Sequence, residues 1–212
     1  MKKYQIAEVS IAVGLIISIV LSFVNFGAEC SDIRNNVIRL HVLANSDSEI
    51  DQNVKQLVRD TLLSCGGKIF SGTVSKDGAE ECLKKEKEML TEKANKVLEE
   101  NGLKYKAEIV VTDEYFQTRD YENFTLPAGE YKALKVILGK GEGHNWWCIM
   151  FPPLCLPAAT EKTNTEVILG NNGAEIISNP VKYEMKFKVI ELVEEIRYKI
   201  KIKLNQSKEQ DI

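Results

Sequence analysis

VIRLHVLANSDSEIDQNV, residues 37–54, carries two periodicities back to back. Over 37–44 the side chains alternate with a period of two, as they do along a strand. Ile38, Leu40, Val42 and Ala44 fall on one face and are expected to meet a core. Val37, Arg39, His41 and Leu43 fall on the other, which directs Arg39 and His41 away from that core. In the polar run that follows, Ser46 stands three residues before Glu49, the spacing of a capping box that opens a helix. Val54, Leu57, Val58, Thr61 and Leu62 then recur at helical spacing, and Gly66-Gly67 is expected to end the helix. A strand feeding a capped amphipathic helix is the seed of a mixed fold.

Working outward, a second helix is expected from about Asp77, with Glu80 as its reciprocal cap. Leu83, Leu90, Ala94, Val97 and Leu98 form its stripe, and Asn101-Gly102 stops it. The intervening Lys and Glu residues read as a solvated face with i,i+4 pairing. Two further strands follow. One covers 104–112, with Tyr105, Ala107, Ile109 and Val111 on one face; the other covers 130–138, with Leu134, Val136 and Leu138 inward. The polar and aromatic stretch between them reads as a long connection or a twisted hairpin arm.

Gly139, Gly141 and Gly143 release the chain into GEGHNWWCIMFPPLC, residues 141–155. Its prolines rule out a regular helix, and it does not alternate like a half-buried strand. It is expected to be an irregular segment, either a constrained lid or a surface that meets something else. Residues 158–180 read as a polar linker with a short hairpin around Asn171-Asn172-Gly173. From 181 to 212 the pattern is helical again, with Met185, Val189, Leu192, Val193, Ile196 and Ile200 as the stripe and a basic tail. A core-packing helix is favoured there over a membrane-surface one. The expected class is α+β: a small mixed or antiparallel sheet packed against helices in two layers. The exported domain covers 31–157.

Residues 1–30 carry a targeting signal. Lys2 and Lys3 precede an uncharged, mostly apolar run, Ser10 to Phe26. Its seventeen residues rise about 26 Å as a helix, just short of a hydrocarbon core of ~30 Å. That fits a signal peptide or a membrane anchor. Asn25-Phe26-Gly27-Ala28 is a poor cleavage site, which favours the anchor. The lysines hold the N-terminus inside, so the rest of the chain is exported. Cys30 follows Glu29 and not a small residue, which argues against lipidation.

A net charge of -3 provides no footprint for nucleic acid. There is no Gly-rich phosphate loop, no CxxC and no paired histidine spacing, so neither a cofactor nor a metal is expected. Outside the cytoplasm Cys148 and Cys155 are expected to bridge, leaving Cys30, Cys65 and Cys82 as thiols. No catalytic residues are assigned. The alternative is an envelope enzyme using Cys148 as nucleophile with His41 or His144 as base, although no GxSxG, HExxH or SxxK motif accompanies them.

Two stretches carry a resemblance. VIRLHVLANSDSEIDQNVKQLVRD (37–60) and FTLPAGEYKALKVILGKGEGHNWWCIMFPPLC (124–155) resemble the signature segments of the stage II sporulation protein R family. The resemblance implies export from the forespore into the space between the two sporulation membranes. It also implies a partner: a membrane-embedded aspartic protease of the mother cell, which then cleaves the sigma-E precursor. The chain would be a ligand, with no small-molecule substrate. Under that reading Trp146, Trp147, Phe151 and Pro152 are expected as apolar anchors and Arg39, His41 and Asp47 as a polar partner surface, because Trp and Arg are enriched at binding hot spots. The Cys148–Cys155 bridge would pre-organise the segment. A purely structural envelope protein is the third reading.

Overall fold

The computed structural model describes residues 3–73, 75–121, 124–152 and 162–210. Helix α1 (Lys3–Asn36) leads into strand β1 (Ile38–Leu43), followed by helices α2 (Glu49–Ile69) and α3 (Lys76–Glu100). Strands β2 (Ala107–Phe116), β3 (Arg119–Asp120), β4 (Thr125–Leu126), β5 (Gly129–Leu138) and β6 (Asn145–Phe151) come next. Helices α4 (Lys162–Ser178) and α5 (Pro180–Gln210) complete the described chain.

The main sheet has the order β2-β5-β1-β6. β1 lies parallel to β5, with Leu40 opposite Leu134, and antiparallel to β6, with Leu40 opposite Cys148. A parallel pair requires a long crossover; here α2, α3 and β2 supply it. β2 and β5 form an antiparallel ladder from Ala107↔Leu138 to Phe116↔Gly129. The connection expected between the two predicted strands is thus the end of β2 plus a small hairpin arm, β3 against β4.

The class is α+β, as the patterns indicate, but helices cover both faces of the sheet, so the layers are three and not the two expected. On the inner face Ile38, Leu40 and Val42 pack with Leu134 and Val136 against Val58 and Leu62 of α2 and Leu83 and Leu90 of α3. Each such aliphatic side chain taken fully out of water contributes roughly 1.5–3 kcal/mol. The outer face carries a second core. Phe26, Cys30 and Ile33 of α1, Ile176 and Ile177 of α4, and Phe187 and Ile190 of α5 close over Tyr131, Ala133 and Ile149.

Several local expectations shift for identifiable reasons. The cap of α2 is Ser48, whose side chain accepts from the Asp51 N–H, while Ser46 Oγ donates to the Asp51 carboxylate. Gly66-Gly67 does not end α2. A Cβ at Gly66 would stand 3.2 Å from the Met150 side chain, so this glycine lets the helix approach β6 closely. Helix α3 opens at Lys76 with Ser75 as cap. Leu57, assigned to the buried stripe of α2, is exposed, and Leu63 is buried in its place.

The segment 158–180 is not a linker where it is described. It is helical from Lys162 to Ser178, with Gly170 at φ 70° breaking the helix; residues 158–161 lie outside the described residues. No hairpin forms at Asn171-Asn172-Gly173, which are helical. The C-terminal helix packs on the domain through another stripe than the one expected. Phe187 and Ile190 are buried, whereas Met185, Val189, Leu192, Val193, Ile196 and Ile200 are exposed.

Candidate functional site

The Trp-Trp segment is a strand as far as Phe151, and it lies at the edge of the sheet. Alternation along it sends its tryptophans to opposite faces. Trp146 pairs with Val42 in the register, turns to the α2 side and lies 4.3 Å beneath the Arg59 guanidinium. Trp147 pairs with His41 and turns to the outer side. There it stacks on the His41 ring at 5.5 Å and lies 4.8 Å beneath the Arg119 guanidinium. The edge therefore presents two indoles, each covered by an arginine, one per face. Cation–π pairs of this kind contribute ~0.5–1 kcal/mol at exposed sites.

Behind Trp147 lies a buried polar cluster. Arg39 is fully buried (0% exposed) because the arm and α1 close over the outer face. Its Nη2 donates to the Tyr121 hydroxyl at 2.6 Å, and its guanidinium lies 4.2 Å over the Phe116 ring. Its Nε and Nη1 are buried without a hydrogen-bond partner. His41 Nδ1 meets Glu114 at 2.9 Å, and Lys135 donates to the same carboxylate at 3.0 Å. Burial alone would raise the Glu114 carboxyl, but the bonds from His41 and Lys135 outweigh it and hold the group below its usual range. Burial pushes the Tyr121 hydroxyl up, with Arg39 and Arg119 opposing.

A third cluster ties the turn after β1 to the β5–β6 loop. Asp51 accepts from Asn45 at 2.9 Å, from Ser46 and from Tyr105. Burial raises its carboxyl, and these hydroxyl and amide donors overcome that, leaving it below the ordinary value of 3.8. Asp47 accepts from the His144 N–H at 2.6 Å and pairs with its ring; the backbone bond leads in lowering the Asp47 carboxyl. Lys55 donates to the His144 carbonyl at 2.9 Å. Gly143 permits this seam, since a Cβ there would stand 2.2 Å from the Ser46 carbonyl oxygen.

The structure therefore divides the expected site. Trp146 is partly exposed and Trp147 half-buried at the edge, and Asp47 is exposed on the turn. Phe151 and Pro152 are buried, Phe151 packing edge-on against Phe70, so neither is an exposed anchor. Arg39 and His41 (5% exposed) are not a surface: the outer helices and the arm cover the face that alternation assigned to them. Cys148 is disulfide-bonded and buried, so it offers no thiolate; Cys155 lies outside the described residues. Arg59, read from sequence only as part of a polar helical side with Asp47, Asp51 and Lys55, and Glu114, Tyr121 and Arg119 are not assigned to the site by the sequence. For the last three the available signal was the aromatic and charged composition of 113–121. Among the described residues no group of three or more His, Cys, Asp or Glu side chains is placed to hold a metal.

Fold and edge together define the class: an α+β domain carried on an apolar helix, with an aromatic edge strand flanked by arginines. The family model for Stage II sporulation protein R matches residues 34–161, and the chain belongs to that family. Stage II sporulation protein R of Bacillus subtilis (strain 168) is 35% identical over 123 residues, which cover 58% of this chain and 55% of that protein. The chain thus spans about half the length of that relative. No solved structure matches. Membership ties the chain to sporulation. Helix α1 is long and apolar enough to cross a membrane, as a signal peptide or an anchor would.

Proposed function

We propose that this chain is an exported sporulation signal that switches on a membrane-embedded aspartic protease of the mother cell, which then processes the sigma-E precursor. The family match over 34–161 carries this reading, because that span contains every described strand together with α2 and α3. The edge strand β6 is the contact. Trp146 and Trp147, with Arg59 and Arg119 over their rings, supply the aromatic and arginine chemistry that dominates binding hot spots. Asp47 and His144 form a polar rim at the same end of β6. Activation by binding requires that this edge hold the active state of the protease more tightly than the inactive one.

Helix α1 remains attached as an anchor in this reading. It is continuous from Lys3 to Asn36, and Phe26, at the end of the apolar run, is part of the second core. Removing the helix beyond that point would open the outer face. Forespore origin and the intermembrane space complete the proposal.

The test is co-expression of the full chain with the protease and the precursor in a host that does not sporulate. Precursor cleavage that requires this chain supports a ligand. With all three proteins present and folded, absence of cleavage overturns the proposal.

A further inference from the structure

Helix α5 runs alongside α1 in the same direction. Lys186 Nζ donates to Ser22 Oγ at 2.9 Å, Ile190 lies against Gly27, and Arg34 pairs with Glu194 at 3.3 Å. Phe26, the last residue of the apolar run, stacks on Tyr183 at 5.4 Å and meets Phe187 edge-on at 5.3 Å. Ser22 lies inside that run, one helical turn before its end. The start of α5, Tyr183 to Phe187, therefore stands beside Phe26 at the end of the apolar run, and the Lys186 side chain reaches back to Ser22. Val181, two residues before the Tyr183 that stacks on Phe26, lies roughly 3 Å further along the run at 1.5 Å per residue. Val181 is 89% exposed and Met185 73%, more than any other large apolar side chain described. They stand at i,i+4, on one face of the helix. Around them are Lys182, Lys186 and Tyr183, whose stems and ring suit a headgroup layer. Glu175 and Glu184, the acidic groups beside them, are paired with Lys182 and Lys188.

We infer that the α4–α5 corner is a membrane-surface foot. Val181 and Met185 enter the boundary between headgroups and acyl chains of the bilayer that α1 crosses, with Lys182, paired to Glu175, and Lys186, bonded to Ser22, at the headgroup level. The occupant follows from position: whatever surrounds the end of the apolar run at Ser22 and Phe26 also surrounds the start of α5, whose Lys186 and Tyr183 meet those residues. The inference rests on the reading of α1 as a retained anchor. With α1 and the foot both engaged, the domain is held at two points and cannot tumble about a single helix. Its β6 edge then keeps one orientation toward a partner in an apposed membrane, which raises the effective concentration of the contact.

The test uses the full chain in lipid vesicles, with a photo-crosslinking diazirine residue placed singly at 17, 181, 185, 192 or 204. All five positions are exposed apolar side chains, and Leu192 and Leu204 lie further along α5. Lipid adducts are expected at 17, 181 and 185, several-fold above 192 and 204. Labelling at 17 with 181 and 185 no higher than 192 and 204 overturns the foot and leaves the anchor standing. Crosslinks from 181 or 185 to a second copy of the chain in place of lipid overturn it as well. No lipid adduct at 17 overturns the anchor, and the foot with it.

Discussion

The two faces of the central sheet are built on different terms. The buried core of the inner face is apolar: Leu40 and Val42 of β1 and Leu134 and Val136 of β5 meet leucines and valines of α2 and α3. The outer face buries Arg39, His41 and Tyr131 among aromatic rings, under helices from both ends of the described chain. Burial alone therefore does not separate core from site. What separates them is polar satisfaction, and two buried charges make the contrast plain. Asp51 accepts from three side chains, whereas Arg39 has one hydrogen-bonded nitrogen and two without partners. An unsatisfied buried polar group costs free energy, and it persists where rings or function hold it.

The largest expected effect breaks the inner face. Leu40→Ala removes a fully buried side chain between two sheet neighbours and two helices. It should lower unfolding free energy by ~2–5 kcal/mol in a urea titration. A loss below about 1 kcal/mol would mean that the inner core is not the main source of stability.

Next comes the satisfied charge. Asp51→Asn should cost ~1.5–3 kcal/mol at neutral pH, the range for hydrogen bonds to a charged group. Because the native carboxyl lies below its ordinary value of 3.8, its contribution is present above that value and lost as pH falls through the lowered one. Stability of the parent should therefore fall on acidification more steeply than that of Asp51→Asn. Equal acid slopes would remove Asp51 from the account.

The unsatisfied charge should behave in the opposite way. Arg39→Met keeps volume over the Phe116 ring and removes two orphaned donors. It should leave stability unchanged or raise it by ~1–2 kcal/mol, as replacement of buried charges often does. A loss as large as that for Leu40→Ala would erase the contrast between the faces. The smallest effect is the coupling of Arg59 with Trp146, which a double-mutant cycle should place at ~0.5–1 kcal/mol.

The readability of the sequence follows the same division. Strands β1, β2 and β5 and helices α2 and α3 are visible because apolar side chains recur on the face toward the inner core with polar ones between them; in β1 those are Arg39 and His41, polar although buried. β6 was hidden because Cys148, Ile149, Met150 and Phe151 are all buried, and a strand covered on both sides loses its alternation. Arg39 and His41 were assigned to a surface on the rule that the polar face of a strand meets water. That rule fails where α1, α4, α5 and the arm form a second layer. Helix α4 was hidden by Asn171-Asn172-Gly173 and by Gly170, which read as a turn. In α5 both stripes are apolar, so spacing alone does not say which one meets the sheet. Trp146 and Trp147 were legible as unusual from composition; Arg59 and Arg119, which cover them, come from distant stretches that only the fold brings together.

The proposed function requires the β6 edge to meet the mother-cell protease. The most direct measurement compares the full chain with its Trp146→Ala, Trp147→Ala double variant in the co-expression assay, with folding of both checked by circular dichroism. The account predicts that the variant folds, is exported and fails to support precursor cleavage. A folded, exported variant that supports cleavage as well as the parent would contradict it.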